Sequence, residues 1–138
     1  MNAPLLIDTC AAIFLTDGEW MKPQAVEAID QTFDRKQAVY LSPITAWEVG
    51  LLARKGRFKS ALAPKRWLDR LLSFREITLC ALPAEMLLES SFLPGDLHGD
   101  PADRIIAATA REYGYTVVTR DRALLEYASA GHLRALEC

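Results

Sequence analysis

Short apolar runs alternate with longer segments along this chain. The runs have the length of β-strands, and they predict strands at 4–7, 38–41, 76–82, 115–119 and, as a last short strand, 133–136. Helical spacing and capping residues between the runs predict helices at 9–16, 22–36, 43–54, 63–73, 83–91, 100–114 and 122–129. This alternation predicts an α/β fold, in which helices flank a central, mostly parallel sheet of four or five short strands.

Several polar residues stand where helices are predicted to begin. Ser42 and Asp100 each precede a proline, which predicts that they cap helices whose first residue is that proline. Asp121 directly precedes another predicted helix and is a suitable cap for it. Asp103 falls in the first turn of its helix, where a carboxylate interacts favourably with the helix dipole. Each of these acids therefore has a purely structural interpretation.

The composition is that of a globular protein, with 51% hydrophobic and 25% charged residues in 138. That length predicts one domain over residues 1–138. No apolar run reaches the roughly 20 residues that span a bilayer, and the first residues lack the pattern of a signal peptide. The three cysteines indicate neither a disulfide framework nor a zinc site. These features predict a cytoplasmic protein that does not bind membranes.

Acidic residues follow or flank several of the predicted strands. Asp8 directly follows the first strand, and Asp121 lies just after the fourth. Asp100 and Asp103 begin the helix before that strand, and Glu48 lies on the helix after the second. Ligands of open parallel sheets bind outside the carboxyl ends of the strands. We therefore expect the acids, although far apart in sequence, to meet at one edge of the sheet.

Such a cluster of carboxylates indicates a particular chemistry. Neighbouring carboxylates repel one another, and a hard divalent cation such as Mg²⁺ or Mn²⁺ is the usual compensation. That cation can align phosphate oxygens and activate water, so the cluster points to phosphodiester hydrolysis. Neither a GxxxxGK[ST] loop nor an HExxH motif is present. Glu48 remains open to a second interpretation, as a solvated helix residue.

Four segments together resemble the motifs of PIN-domain nucleases. They are Leu5–Thr9, Ser42–Val49, His98–Ala110 and Thr119–Asp121, and they occur in the family's order. The third is the most specific of them. The short chain, with little outside these motifs, is most similar to the VapC-type toxins of bacterial toxin–antitoxin pairs.

The resemblance implies a three-layer PIN-like fold and a Mg²⁺- or Mn²⁺-dependent endoribonuclease. Asp8 and Asp103 match the direct metal ligands, and Glu48 and Asp121 match the acids that complete the catalytic site. The family's supporting positions are matched by Thr9, Asp100 and Thr119. The resemblance also implies an RNA substrate, a cognate VapB-type antitoxin and a homodimer.

Two other functions stay open at this point. Receiver-type and phosphatase-type phosphotransfer proteins also place acids at strand ends and bind Mg²⁺. Against them, Asp8 is followed by Thr9-Cys10 and not by a second acid. A degenerate PIN domain that only binds RNA or protein is the other alternative, and the presence of all four matching acids argues against it.

Basic residues supply the remaining signals for function. The net charge is −2, from 16 basic and 18 acidic residues, which neither indicates nor excludes a nucleic-acid partner. Six of the basic residues lie between 54 and 66, where a solvated helix end and a contact with RNA phosphates are both possible interpretations. Arg104, Arg120 and Arg122 each stand beside a site acid, where pairing with that acid and contact with phosphate are both possible interpretations, and we expect the pairing.

The aromatic residues and the last cysteine are interpreted as structural. We expect Trp20, Trp47 and Trp67 to be buried in the core or in an interface, in preference to stacking on bases. Cys138 is predicted to belong to a mobile terminus.

Overall fold

Five parallel strands form one sheet in the computed structural model, which describes residues 3–138. Numbered in chain order, the strands are β1 Leu5–Ile7, β2 Val39–Leu41, β3 Ile77–Leu79, β4 Thr116–Thr119 and β5 Arg134–Glu137. The order across the sheet is β3-β2-β1-β4-β5, and every neighbouring pair is parallel. The predicted parallel sheet is confirmed.

Seven helices connect these strands. They are α1 Thr9–Asp17, α2 Pro23–Asp34, α3 Ile44–Arg54, α4 Pro64–Ser73, α5 Ala84–Glu89, α6 Pro101–Tyr113 and α7 Arg122–Ser129. None of the helices in the described residues is long and apolar enough to cross a membrane.

The sheet separates two hydrophobic cores because strand side chains alternate between its faces. On β1, Leu5 and Ile7 pack with α1, α2 and α4 on one face, whereas Leu6 packs with α6 and α7 on the other. On β4, Val118 and Val117 divide in the same way. The result is the predicted arrangement of three layers, with helices on both faces of the sheet.

The strand order places a topological switch point at the middle of the sheet. From β1 the chain moves outward through β2 and β3, and it then returns to the opposite side of β1 to form β4 and β5. A crevice at the carboxyl ends of β1 and β4 is therefore the expected ligand site. The order also differs from the 2-1-3-4-5 order of receiver-type sheets, which argues against the receiver form of the phosphotransfer alternative.

Some predicted boundaries are wrong in detail. Helix α3 begins at Ile44, with Pro43 as its N-cap, so Ser42 lies one residue further out than expected. The Ser42 hydroxyl nevertheless accepts a hydrogen bond from the Ile44 N–H at 3.2 Å, and it thus satisfies a free donor of the first turn. Strand β3 ends at Leu79, three residues earlier than predicted.

Two predictions about individual side chains also need correction. Cys138 is not at a mobile end: its N–H donates to the Thr119 carbonyl at 3.0 Å, and its side chain is buried in the core beside α1 and α2. Trp67 is fully buried as expected, but Trp20 and Trp47 are 69% and 51% exposed. Core burial is therefore confirmed for Trp67, whereas Trp20 and Trp47 lie outside the core and their burial in an interface stays a prediction.

Candidate active site

Asp8 occupies the centre of the switch point. It directly follows β1 and is the N-cap of α1, where its Oδ1 accepts a hydrogen bond from the Ala11 N–H at 2.8 Å. Its side chain is only 3% exposed. The carboxylate is thus held in one orientation by the first turn of the helix that it begins.

Thr119 connects Asp8 to the neighbouring strand. As the last residue of β4 it is fully buried, and its hydroxyl donates to Oδ2 of Asp8. The Thr119 hydroxyl oxygen also accepts a hydrogen bond from the Asp121 N–H at 2.9 Å. Asp121 in turn caps α7, accepting from the Leu124 N–H at 3.0 Å. One hydroxyl therefore fixes the relative positions of two acids.

Glu48 reaches the same region from α3 through a chain of hydroxyl groups. The Thr9 hydroxyl donates to Oε1 of Glu48 at 2.5 Å, and it lies 3.0 Å from the Thr45 hydroxyl. Because Thr9 has a single hydroxyl proton, Thr45 is the donor in the second contact. Thr45 is fully buried, so this chain fixes Glu48 from the interior of the protein.

Asp100 and Asp103 approach from the start of α6. Asp100 is the N-cap, and its Oδ1 accepts from the Asp103 N–H at 3.0 Å, which confirms its predicted capping role. Gly99 leaves room for Asp103, since a Cβ at position 99 would lie 2.7 Å from the Asp103 Cβ.

The charges of these acids act on one another. The pKa of Asp103 is raised to about 8, chiefly by burial and then by the charges of Asp100, Asp121, Glu48 and Asp8 in that order. Burial likewise raises the pKa of Asp8 to about 6 against the opposing effect of its two hydrogen bonds, and it raises the pKa of Glu48. The structure therefore brings all five sequence-predicted acids into one electrostatic cluster.

The predicted pairing of arginines with these acids is wrong for all three within residues 3–138. Arg104 donates to the carbonyls of Ser90 and Leu97 at 2.9 and 2.8 Å. Arg120 donates to the main-chain oxygens of Cys138 and Trp20, and its guanidinium lies over the Phe14 ring. Arg122 forms no ion pair, because Lys22–Glu137 is the one salt bridge among residues 3–138. The acids are thus not neutralised by protein cations.

The chemistry of the donor set fits a hard divalent cation. Several carboxylates with raised pKa values and no paired basic side chain favour an ion that takes oxygen ligands. Within residues 3–138, no group of three acidic, histidine or cysteine side chains lies close enough together to coordinate one ion. Mg²⁺ commonly takes only one or two protein carboxylates and completes its shell with water, so the acids still fit it.

Two residues of this site were missed by the sequence analysis. Thr45 lies one turn before Glu48 on α3, and a hydroxyl at that spacing from an acid was the available signal. Gly99 precedes the cap of α6, but nothing in a sequence shows which side chain will occupy the space beside a glycine.

Several known proteins are similar to this chain in sequence or in fold. The PIN domain matches residues 5–130 of the chain. Ribonuclease VapC22 of Mycobacterium tuberculosis is 31% identical over 104 residues, which cover 75% of this chain and 78% of that protein. Among solved structures, the DNA-bound VapBC of Salmonella typhimurium aligns with a TM-score of 0.66 at 22% identity, covering 99% of this chain and 98% of that one. The promoter-DNA-bound VapBC2 of Rickettsia felis aligns with a TM-score of 0.64 at 17% identity, and the alignment covers 96% of this chain and 98% of that one.

An all-parallel sheet with acids at its switch point defines an α/β domain built around a carboxylate cluster. The chain belongs to the PIN-domain family. The two structural alignments support the fold, and the identity with Ribonuclease VapC22 places the chain beside the VapC-type ribonucleases of that family.

Proposed function

We propose that this chain, acting as a single PIN domain over residues 1–138, is the Mg²⁺- or Mn²⁺-dependent endoribonuclease toxin of a toxin–antitoxin pair. The observation that carries the proposal is that Asp8, Glu48 and Asp121, from three separate elements, lie near enough to Asp103 for their charges to raise its pKa. Membership of the PIN-domain family supports the same assignment.

In this proposal the acids divide into two pairs. Asp8 and Asp103 would hold the cation, since they match the direct metal ligands of the PIN-domain family and a bound cation would offset the burial that raises the pKa of both. When bound, the cation would align phosphate oxygens and lower the pKa of water. Glu48 or Asp121 orients the attacking water and accepts one proton from it, while the bond from phosphorus to the leaving oxygen breaks in line and that oxygen takes up a proton from solvent.

Thr9, Thr119 and Asp100 support these acids without contacting the reacting atoms. Thr9 orients Glu48, and Thr119 orients Asp8 while holding the backbone of Asp121. Asp100 holds the first turn of α6, from which Asp103 projects.

The proposed partner is a VapB-type antitoxin, because two of the aligned structures are VapBC complexes. A homodimer and a cytoplasmic location complete the proposal. Large exposed apolar side chains, among them Trp20 and Phe92, provide surface that such partners would cover.

The test is cleavage of end-labelled total RNA by purified chain free of antitoxin. Discrete fragments in Mg²⁺ or Mn²⁺, absent in EDTA and in the Asp103→Asn variant, are the expected result. Asp30→Asn, at an exposed position of α2, is the matched control and retains cleavage.

Failure has two distinguishable forms. Mn²⁺ binding by calorimetry without cleavage of any RNA would indicate another phosphoryl chemistry. Neither cleavage nor Mn²⁺ binding would favour the degenerate binding domain.

A further inference from the structure

The charges of this chain are strongly segregated. Between Glu48 and Asp69 no residue is acidic, yet six of the chain's 16 basic residues lie there. We call these six the basic strip: Arg54, Lys55, Arg57, Lys59, Lys65 and Arg66. All six are exposed.

Ordinary structural roles account for only part of the basic strip. Arg54 and Lys55 end α3, where cations interact favourably with the helix dipole. Lys65 and Arg66 stand in the first turn of α4, where the dipole favours acids instead. No member of the strip forms a salt bridge or a side-chain hydrogen bond within residues 3–138. Internal pairing therefore does not explain this charge.

The loop between α3 and α4, which carries part of the strip, is held in place at several points. Gly56 adopts a left-handed φ of 71° and allows the Arg57 N–H to bond the Leu52 carbonyl at 2.8 Å. The Phe58 ring packs edge-on against the Trp67 ring, and the two ring centroids are 5.7 Å apart. The strip is thus presented on an ordered scaffold, which lowers the entropy cost of binding a partner.

Helix α3 links the strip to the acid cluster. Glu48 lies on this helix two turns before its end at Arg54. Trp47, Leu51 and Arg54 recur at helical spacing on one face, over about 10 Å of helix. The Trp47 side chain on that face is half exposed. Along α3, a half-exposed aromatic residue one position before Glu48 is therefore followed by positive charge at the end of the helix.

We propose that Trp47 and the basic strip form a track for single-stranded RNA that leads to the acid cluster. This inference rests on the proposed nuclease function. Proteins that bind single strands combine a positively charged path along the backbone with aromatic side chains that stack on bases. In this track Trp47 stacks on a base beside the scissile phosphate and the strip contacts phosphates further along. The strip also offsets the repulsion between RNA and the acids.

The first test measures how salt affects binding of a fluorescent single-stranded 20-mer RNA to the Asp103→Asn chain. Each phosphate contact contributes about 0.7 to the slope of log K against log salt for a single strand. The additional triple substitution Arg54→Gln, Lys55→Gln and Arg57→Gln should therefore lower the slope by about 2. The matched control is Arg35→Gln, Lys36→Gln and Arg75→Gln, which removes three exposed charges elsewhere and leaves the slope unchanged.

The second test concerns Trp47. Loss of one base stack by alanine substitution weakens binding about 5- to 150-fold. We expect Trp47→Ala to do so and Trp47→Phe to retain most of the affinity. Trp20→Ala removes an even more exposed tryptophan outside the track and should bind RNA as the parent does.

Each outcome decides the inference separately from the nuclease proposal. An unchanged slope in the strip variant overturns the track, whether or not the wild-type chain cleaves RNA. Conversion of a dimer to a monomer by Trp47→Ala, with RNA affinity unchanged, would overturn it in favour of a subunit contact. A lowered slope and the Trp47 effect support the track even if cleavage is never observed.

Discussion

Replacing Asp8 by Asn should stabilise the metal-free protein while it abolishes activity. The substitution keeps the shape of the side chain, and its Oδ1 still accepts from the Ala11 N–H. It removes a negative charge that burial holds in a nearly solvent-free position. The proposed site would thus cost stability whenever the cation is absent.

The magnitude follows from the pKa of Asp8. Burial raises it from 3.8 to about 6, and each tenfold change in proton affinity corresponds to about 1.4 kcal/mol. A folded-state pKa above the unfolded value removes stability as the pH rises between the two values. The native protein therefore loses about 3 kcal/mol between pH 4 and pH 6 through this carboxyl, and the loss stays constant at higher pH.

Urea denaturation in EDTA at pH 4 and pH 7 measures the effect. The unfolding free energy of Asp8→Asn minus that of wild type should be about 3 kcal/mol larger at pH 7 than at pH 4. A difference that is the same at both pH values would refute the reasoning. Adding Mn²⁺ at pH 7 should stabilise the wild type and leave the variant unchanged, because a ligand stabilises only the state that binds it.

Three further substitutions test how the acids are held. Thr45→Val removes the buried hydroxyl that donates to Thr9, and it should lower kcat about tenfold and destabilise the fold by about 1–3 kcal/mol. Thr45→Ser keeps the hydroxyl and should restore kcat. If it does not, the hydroxyl chain does not have the proposed role. Gly99→Ala places a Cβ against the Asp103 Cβ and forces Asp103 to shift. Because displacement of a catalytic group by 1 Å can cost about a hundredfold in rate, RNA cleavage should fall strongly, and it should fall further than the loss of stability measured by thermal unfolding explains. Asp121→Ser keeps a side chain that can cap α7, so it should abolish cleavage without changing stability. Asp121→Ala removes the cap as well and should also lower the stability measured by thermal unfolding by about 1 kcal/mol. Equal stability of the two variants would argue against the capping role.

The parallel sheet and its acids could be predicted from the sequence because both depend on local patterns. Three-residue strands buried on both faces read as continuous apolar runs such as Leu5–Ile7. An acid directly after such a run lies at the carboxyl edge of the sheet by topology alone. The switch point between β1 and β4 then brings Asp8 and Asp121 together, although 112 intervening residues separate them in the chain.

The choice of hydrogen-bond partners could not be predicted in the same way. Arg104 and Arg120 stand beside acids in sequence, but both extend to carbonyl oxygens of distant loops. A guanidinium satisfies several donors at once by bonding free carbonyls, and which carbonyls are free depends on tertiary packing. The exposure of Trp47 could not be predicted either, because the helix pattern does not reveal that the residues around it leave its side chain half exposed.

Capping and catalysis are compatible roles for these acids. Asp8, Asp100 and Asp121 are the N-caps of α1, α6 and α7, so each carboxylate accepts a main-chain N–H at the start of a helix. The partial positive charge of a helix N-terminus stabilises an anion there. Three helices that begin at one edge of the sheet therefore offset part of the repulsion within the cluster. Asp103 and Glu48 accept no such cap bond, and the pKa of Asp103 is accordingly raised further than that of Asp8. The fold can thus hold its acids together before a cation binds, and it leaves enough uncompensated charge for a cation to bind.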